Sequence, residues 1–167
     1  MDGVFGTDSW DIALSEVESG DYSACVVLLR RGEVFFVLEV IRGRFPFETL
    51  KRKVIEVKKR YSYGSPTLLI EDSPISRGLI QSLREQSINV TAYKPDTDKQ
   101  SRLIAQTDLF AGGSVRLPRR ASWLEEFTAE LLAFPGRHDD QVDALAQGLE
   151  WGRQSRGVTR VGTYLLG

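Results

Sequence analysis

The sequence contains little cysteine and little histidine, which limits the chemistry it can carry. It has a single cysteine, Cys25, and a single histidine, His138. One cysteine cannot form a disulfide framework or a cysteine zinc site within one chain. Because Cys25 lies in an apolar run, we interpret it as a buried strand residue, which fits a reducing compartment. A Ser–His–Asp triad would have to use His138, and no Gly-x-Ser-x-Gly motif presents a nucleophilic serine.

The sequence also lacks the usual features of membrane, secreted and motor proteins. No apolar run approaches the roughly 18–20 residues that a membrane span needs. The start, Met1 to Val4, lacks the basic and apolar regions of a signal peptide. No Gly-x-x-x-x-Gly-Lys-Ser/Thr loop is present, so we expect no P-loop ATPase motor within this chain. The formal net charge is −1, so any surface for nucleic acid must be local.

What the sequence does contain is the pattern of one α/β domain, and its 167 residues are enough for a sizeable core. Apolar segments around a glycine-containing turn predict an antiparallel meander, and shorter apolar segments then alternate with amphipathic helices. The predicted strands are 8–14, 22–29, 34–41, 67–71, 89–93 and 115–118, and the predicted helices are 47–61, 75–86, 98–110, 122–132 and one beginning near 139. This order predicts a mixed sheet of five to six strands with helices on both faces.

The most informative stretch is acidic and lies at the start of the last predicted helix. Asp139, Asp140 and Asp143 fall just after Pro135 and Gly136, and apolar residues at helical spacing follow. Asp139 is a good N-cap, and Asp140 and Asp143 share one helix face. One acid at a helix start needs no function, because the helix dipole favours negative charge there. Three acids repel one another unless a cation lies among them, which favours a divalent-metal site over a merely well-capped helix.

Two further acids are predicted to meet this helix. Asp11 lies in the first strand on the face opposite Trp10, and aspartate is depleted in strands. Glu71 lies at the carboxyl end of the fourth strand, where open sheets place their sites, although a solvent-exposed strand end is the plainer interpretation. Because the first strand of such a sheet is usually central, we expect Asp11, Glu71 and the acids of the last helix to converge.

A cluster with only oxygen ligands suits Mg²⁺ or Mn²⁺. Two such ions about 3.5–4 Å apart can activate a water and stabilise the leaving oxygen of a phosphodiester. That chemistry needs acids from distant positions and no serine nucleophile. Three nearby side chains have plainer interpretations: Asp72 as a helix cap, Asp21 as a loop acid, and His138 as a neighbour of the cap or a donor behind the metal ligands.

Several basic residues are candidates for contacts with a nucleic-acid backbone. Lys99 and Arg102 share one face of a predicted helix, and Arg42, Arg44 and Arg77 are further candidates. Phosphate contacts position a duplex without reading its sequence, so we expect little sequence selectivity. A solvated basic face is the plainer interpretation of these residues.

The chain carries an ordered set of short motifs across residues 8–151. They are Ser9-Trp10-Asp11, Asp21-Tyr22-Ser23, Arg42-Gly43-Arg44, Leu50-Lys51-Arg52, Ile70-Glu71-Asp72, Asp98-Lys99 with Arg102, Val115-Arg116-Leu117-Pro118, and Phe134-Pro135 through His138 to Leu145. As a set they resemble the carboxy-terminal nuclease domain of tailed-bacteriophage large terminases, within the ribonuclease H-like superfamily. The last motif is the most specific, and the others carry weight through their order.

This resemblance implies a ribonuclease H-like fold and a Mg²⁺- or Mn²⁺-dependent endonuclease that cuts concatemeric viral DNA at the start and end of packaging. It places Asp11 as the first-strand ligand, Glu71 as the fourth-strand acid and Asp140 as the helix acid. Asp139 and Asp143 become supporting ligands or alternates. It also implies double-stranded DNA, a packaging ATPase domain, a portal and a small terminase subunit as partners, in the cytoplasm of a bacterial host.

Two alternatives remain open, and so does the domain organisation. A Holliday-junction resolvase shares the superfamily, and a non-catalytic module could use a nuclease fold to dock a portal or motor. Because the chain lacks the ATPase part, we expect either an excised domain or a separately encoded nuclease. We place the nuclease domain at residues 1–151 and interpret 152–167, which is rich in glycine and arginine, as a weakly ordered or docking tail.

Overall fold

The computed structural model describes residues 4–14, 20–62 and 66–155, and these residues form one mixed sheet with helices on both faces. The strands are β1 (Val4–Asp11), β2 (Ser23–Arg31), β3 (Val34–Gly43), β4 (Thr67–Glu71), β5 (Thr91–Tyr93) and β6 (Val115–Arg116). The helices are α1 (Phe47–Arg60), α2 (Arg77–Glu85), α3 (Lys99–Ile104), α4 (Thr107–Ala111), α5 (Leu124–Ala133) and α6 (Asp140–Gln154).

The six strands lie in the order β5-β4-β1-β2-β3-β6. Strands β1, β2 and β3 form an antiparallel meander, whereas β4, β5 and β6 each pair in parallel with their neighbours. Gly32 makes the tight turn between β2 and β3 with a φ of +59°, which a residue without a Cβ adopts at little cost. The predicted fold class, a mixed sheet of antiparallel and then parallel strands, is confirmed.

Two apolar layers cover the two faces of the sheet. On one face, Trp10 packs with residues of α1 and α2 such as Leu50 and Leu79. On the other face, Ala24 packs with Phe127 of α5 and Leu145 of α6. Because successive strand residues point to opposite faces, Trp10 and Asp11 are directed to different layers. Asp11 therefore lies on the α6 face, as predicted.

Helix α6 lies directly on β1 and β2, and Gly148 makes this close packing possible. A Cβ at Gly148 would lie 2.7 Å from Leu28 Cδ1 and 3.1 Å from Ser9 Cβ. Beside it, Gln147 Nε2 donates to Ser9 Oγ at 3.1 Å and to the Trp10 carbonyl at 3.3 Å. These contacts fix the register of the helix against the strand, so the start of α6 lies at the carboxyl end of β1.

The first strand differs from its predicted range of 8–14. Strand β1 begins at Val4 and ends at Asp11, and Leu14 is exposed instead of sharing the inward face with Trp10. After Asp11 the backbone leaves the sheet, and Ser23 Oγ bonds both the N–H and the carbonyl of Ala13. The alternation of side chains in 12–14 suggested a strand, but this side-chain bridge holds those residues in a loop.

Helix α2 also begins later than predicted. It starts at Arg77 after Ser76, whereas Ile75 is 51% exposed and so does not face the core. Ser76 occupies the N-cap position, so the predicted role of Asp72 as the helix cap is wrong, and the Asp72 carboxylate instead accepts from Arg77 Nε at 3.0 Å. Ser76 Oγ accepts from the Ser73 N–H at 3.0 Å, and this local turn takes the place of the predicted cap.

Strands β5 and β6 are shorter than their predicted ranges of 89–93 and 115–118, and two further differences concern helix boundaries. The single helix predicted over 98–110 is two helices, α3 and α4, and α6 continues to Gln154, so residues 152–154 belong to it and not to a tail. The predicted tail from residue 156 onward lies outside the described residues. Within the described ranges, no helix combines the length and apolar character that a membrane crossing requires.

Candidate active site

The carboxyl end of β1 and the first turn of α6 bring Asp11 and Asp143 together around a lysine. Lys99 Nζ lies 3.7 Å from Asp11 Oδ2 and forms a close ion pair with Asp143 Oδ2. The side chain of Lys99 is 47% exposed, whereas that of Asp143 is 2% exposed. The lysine therefore approaches the two acids from the solvent side.

The position of Lys99 follows from the cap of its helix. Asp98 is the N-cap of α3, and its side chain accepts from the Ser101 N–H at 3.0 Å, as its sequence position predicted. This cap places Lys99 in the first turn, facing α6. Sequence reasoning proposed Lys99 as a phosphate contact and did not find its ion pairs, because its partners lie far away along the chain.

Glu71 has a basic partner from the same helix. Arg102 Nη2 lies 3.9 Å from Glu71 Oε2 at the carboxyl end of β4. The Arg102 side chain is 1% exposed, and its Nε and Nη1 atoms have no hydrogen-bond partner among the described residues. This burial contradicts the exposed face that a direct phosphate contact of Arg102 requires. In the structure, the Arg102 guanidinium instead lies beside the Glu71 carboxylate.

The acids of this region influence one another strongly. Burial raises the pKa of Asp11 to about 7; Lys99 opposes this shift, and the Asp143, Glu71 and Asp140 carboxylates add to it. Burial also raises the pKa of Asp143 to about 6, against the effect of Lys99. Raised pKa values of this kind are typical of functional sites that concentrate negative charge in a buried place.

Burial likewise raises the pKa of Asp140, and the Glu130 carboxylate is the next cause. Strands β1 and β4 and helix α6 thus contribute acids to a single electrostatic cluster, which we call the acid cluster and define as Asp11, Glu71, Asp140 and Asp143.

Glu130 of α5 holds the start of α6. Its Oε1 accepts from the N–H of Gln141 at 2.8 Å and from the N–H of Val142 at 3.2 Å, and its other oxygen accepts from the Gln141 side chain. Asp139 occupies the N-cap position, as predicted, but its side chain makes no capping hydrogen bond. A glutamate from a neighbouring helix therefore satisfies the free N–H groups of α6. Sequence reasoning missed this role.

The acid cluster fits a hard divalent cation in donor chemistry and in charge. All of its donors are carboxylate oxygens, which Mg²⁺ and Mn²⁺ prefer. Asp140 Oδ2 and Asp143 Oδ1 are buried and have no hydrogen-bond partner in the described part of the chain. Across residues 4–14, 20–62 and 66–155, no three acid, histidine or cysteine side chains are already arranged around one point as metal ligands. The carboxylates would therefore have to reorient to share an ion.

A basic and aromatic group lies near the start of α6. The Arg42 and Arg44 guanidinium groups lie 3.8 and 3.9 Å from the centre of the Tyr22 ring. The same ring meets the edge of His138 at 5.4 Å. Arg42 is also ion-paired with Glu126. Tyr22 therefore stacks two of the predicted DNA-binding arginines together, a contact that sequence reasoning did not find.

The remaining candidates make their contacts with residues outside the acid cluster. Arg77 pairs with Asp72 at 3.0 Å. Its side chain is exposed at the surface beside β4. His138 is exposed and contacts Tyr22, which agrees with its plainer interpretation as a neighbour of the cap. Asp21 is exposed, as a loop acid would be.

Comparison with known families gives one strong match. A family model described as the terminase RNaseH-like domain matches residues 8–150 of this chain. No curated protein sequence matches the chain at a significant level.

Several solved structures are similar to this fold. The large terminase nuclease from thermophilic phage G20c with bound magnesium is 18% identical, with a TM-score of 0.69 over 88% of this chain and 81% of that chain. The human cytomegalovirus terminase nuclease domain, soaked with manganese and bound to an inhibitor, is 11% identical, with a TM-score of 0.64 over 89% and 82% of the two chains. The large terminase of a second thermophilic bacteriophage is 11% identical, with a TM-score of 0.66 over 87% of this chain and 38% of that chain. These likenesses confirm the ribonuclease H-like fold.

Proposed function

Because the chain belongs to the terminase RNaseH-like domain family, we propose that it is a Mg²⁺- or Mn²⁺-dependent endonuclease that hydrolyses phosphodiester bonds in double-stranded DNA. The observation that carries the proposal is the convergence of acids from β1, β4 and α6 on Lys99 and Arg102. The pKa values of Asp11 and Asp143 are raised even with Lys99 beside them, so these buried carboxylates are unfavourably charged, and a divalent cation would relieve this.

The nature of the cation is supported by chemistry and by similar proteins. The G20c nuclease structure contains bound magnesium, and the cytomegalovirus nuclease domain was soaked with manganese. We propose that Asp11, Glu71 and Asp140 are the main ligands, with Asp143 and Asp139 supporting them. When bound, one or two such ions activate water and stabilise the leaving oxygen of a phosphodiester.

The residues around the acids hold the carboxylates in position for a divalent cation. Glu130 and Gln147 hold α6 at its start and against β1, so they keep Asp140 and Asp143 close to Asp11. Lys99 offsets the charge of Asp11 and Asp143 before an ion binds and must give way to it. Arg102 stays buried against Glu71 and keeps that carboxylate directed toward the cluster.

We propose that DNA approaches the exposed side of the cluster and that arginines contact its backbone. Arg42 and Arg44, stacked on Tyr22, flank one side of the start of α6, and Arg77 lies at the surface near the end of β4. Contacts of this kind bind phosphates regardless of base sequence. Low sequence selectivity is therefore expected.

In its biological setting, the domain would cut concatemeric viral DNA when packaging begins and ends, in the cytoplasm of a bacterial host. A packaging ATPase domain, a portal and a small terminase subunit are the partners that this role requires. The similarity to the large terminase of the second thermophilic bacteriophage, of which this chain matches 38%, supports a role within a larger packaging enzyme.

One observation favours a second candidate, a non-catalytic docking module. Lys99 already pairs with Asp143, and the described residues contain no ready-made group of three metal ligands. In a fold that had lost its metal site, a lysine ammonium could occupy the place of the metal ion between the acids, as Lys99 does here. The acids of three elements remain in place, however, and this favours the nuclease.

Cleavage of supercoiled plasmid tests the nuclease against this rival. The purified chain would be incubated with Mg²⁺, Mn²⁺ or EDTA, beside Asp11→Asn and the control Glu48→Gln, at an exposed acid of α1 on the other face of the sheet. We expect nicking and linearisation in either metal by the wild type and the control only. Cutting in EDTA, or full activity of Asp11→Asn, would contradict the proposal.

Two further results would redirect the assignment. Preference for a four-way junction over linear duplex would favour a resolvase. Failure to cut in any metal, with retained binding to a portal or motor partner, would favour the docking module.

A further inference from the structure

Arg42 lies in the same row of the sheet as Asp11, two strands away. Asp11 of β1 is paired with Ala24 of β2, and Ala24 is paired with Arg42 of β3. Residues that are directly opposite each other point to the same face, so Arg42 points to the face on which α5 and α6 lie. Because neighbouring strands lie about 4.7–4.9 Å apart, the Cα atoms of Arg42 and Asp11 are about 10 Å apart.

The Arg42 guanidinium is enclosed by one aromatic ring and two carboxylates. It lies 3.8 Å from the centre of the Tyr22 ring. Its Nη1 pairs with Glu126 Oε1 and lies 4.0 Å from Glu130 Oε2. Only 15% of the Arg42 side chain is exposed. Most of this side chain is therefore directed to the protein and not to the solvent from which DNA approaches.

Glu130 is a buried carboxylate that needs a positive charge beside it. Its side chain is 5% exposed, and its oxygens accept from the N–H groups of Gln141 and Val142 and from the Gln141 side chain. In the described part of the chain, Arg42 is the cationic side chain that lies within 4.0 Å of this carboxylate. Removing one member of a buried ion pair leaves the other charge uncompensated. Arg42 therefore stabilises the ionised carboxylate that caps α6.

The contact between Arg42 and Glu130 concerns the acid cluster because Glu130 meets α6 next to Asp140. Asp140 directly precedes the two residues whose N–H groups donate to Glu130. After burial, the Glu130 carboxylate is the next cause that raises the pKa of Asp140, so the two charges lie close together. A displaced Glu130 carboxylate would therefore change both the position of Asp140 and the charge around it.

We propose that Arg42 is a positioning residue of the metal site: it holds the Glu130 carboxylate against the start of α6 and thereby fixes Asp140. The inference rests on the proposed nuclease function, and it gives Arg42 a role that requires no DNA. Residues that orient metal ligands from behind typically contribute roughly 10–100-fold to metal affinity. Arg42 thus belongs to the support of the metal site in addition to any contact it makes with a phosphate.

Arg44 provides a matched comparison. It stacks on the same Tyr22 ring at 3.9 Å, but its Nε donates to the Gly20 carbonyl and it has no carboxylate partner among the described residues. The test is a titration of the full chain with Mn²⁺ in the absence of DNA, with Arg42→Met beside Arg44→Met. We expect Arg42→Met to bind Mn²⁺ at least about tenfold more weakly than the wild type, and Arg44→Met to bind as the wild type does. Equal affinities of the two variants would overturn the proposal.

Two further variants separate positioning from a general loss of stability. Arg42→Lys keeps a positive charge and should recover part of the lost Mn²⁺ affinity. In the Glu130→Gln background no buried carboxylate is left without a cation, so adding Arg42→Met should weaken Mn²⁺ binding little further. A second loss of about tenfold in the double variant would show that Arg42 does not act through Glu130, and would overturn the proposal.

Hydrogen exchange without metal distinguishes a failure of this proposal from a failure of the nuclease proposal. The amides of Gln141 and Val142 should exchange faster in Arg42→Met than in Arg44→Met, whereas amides of α1 should exchange equally in both. If the wild type binds no Mn²⁺, the metal assignment fails, and faster exchange in Arg42→Met still supports the contact of Arg42 with the α6 cap. Equal exchange at the two amides would overturn the role of Arg42 whether or not the metal binds.

Discussion

Lys99 joins two carboxylates that belong to different elements: its Nζ lies 3.7 Å from Asp11 Oδ2 at the end of β1 and pairs with Asp143 Oδ2 in the first turn of α6. Burial lowers the pKa of Lys99, but the two carboxylates more than compensate and raise it above its usual value. The ammonium is therefore a fixed positive charge within the acid cluster. A divalent cation that binds these acids has to displace it.

The cap that Glu130 supplies to α6 gives the first prediction. Glu130→Gln removes the charged acceptor of the Gln141 and Val142 N–H groups, so the variant should lose about 1–3 kcal/mol of unfolding free energy. Hydrogen exchange at these two amides should accelerate more than exchange in α1. The matched control is Glu126→Gln, because Glu126 is 62% exposed and pairs with Arg42 at the surface. Equal effects of the two variants would show that Glu130 does not hold the helix.

The buried face of α6 gives the second prediction. Leu145 is 0% exposed and packs in the layer with Phe127, so Leu145→Ala should cost about 2–5 kcal/mol of unfolding free energy. Leu132→Ala is the control, because Leu132 is 84% exposed and should change stability little. Chemical denaturation measures both values. A neutral effect of Leu145→Ala would mean that α6 presents a different face to the sheet.

The face of α6 and the place of Asp11 could both be predicted from the sequence, because they depend on local periodicity. Alternation along β1 separates Trp10 from Asp11, and the spacing of Val142, Leu145 and Leu149 defines the inward side of α6. The convergence of the two elements followed from the usual central position of the first strand. Both features can therefore be predicted without knowing which distant residues are in contact.

Other features of the site depend on contacts between distant residues, and the sequence does not contain a local signal for them. Glu130 lies 11 residues before Gln141, and Lys99 reaches α6 from a separate helix. Arg102 follows three exposed residues of α3 and, as a charged side chain, looks like a surface residue, yet the packing of α3 on α6 buries it. The later start of α2 has a different, local cause, since a turn made by Ser73 and Ser76 replaces the expected cap.

The buried Asp8 gives a third prediction, on pH. Burial raises its folded-state pKa from 3.8 to about 6, so between these values the folded protein binds a proton that the unfolded protein has lost. The contribution of the protonated Asp8 carboxyl group to folding stability is present below pH 4 and is lost as the pH rises through 6. The unfolding free energy of Asp8→Asn, relative to the wild type, should therefore increase by on the order of 3 kcal/mol from pH 4 to pH 7. A difference that does not change with pH would contradict the burial of this carboxyl group.

The arginine pair on Tyr22 gives a fourth prediction, on DNA binding. Arg44 lies over the Tyr22 ring, and its Nε donates to the Gly20 carbonyl, so other guanidinium donors remain for phosphate. Arg44→Gln should weaken binding to duplex DNA in EDTA and reduce the slope of log affinity against log salt by about 1. Arg52→Gln is the control, since Arg52 is exposed on α1, on the other face of the sheet. An unchanged slope in Arg44→Gln would exclude Arg44 from the DNA contact.

The most direct test of the acid cluster is a calorimetric titration with Mn²⁺ of the wild type, Lys99→Met and Asp143→Asn. We predict that the wild type binds Mn²⁺, that Lys99→Met binds it more tightly because the competing ammonium is gone, and that Asp143→Asn binds it more weakly. Asp108→Asn, at an exposed acid paired with Arg153, should bind as the wild type does. Weaker binding by Lys99→Met would show that the lysine does not compete with the ion. No binding by either the wild type or Lys99→Met would contradict the assignment of a metal site to these acids.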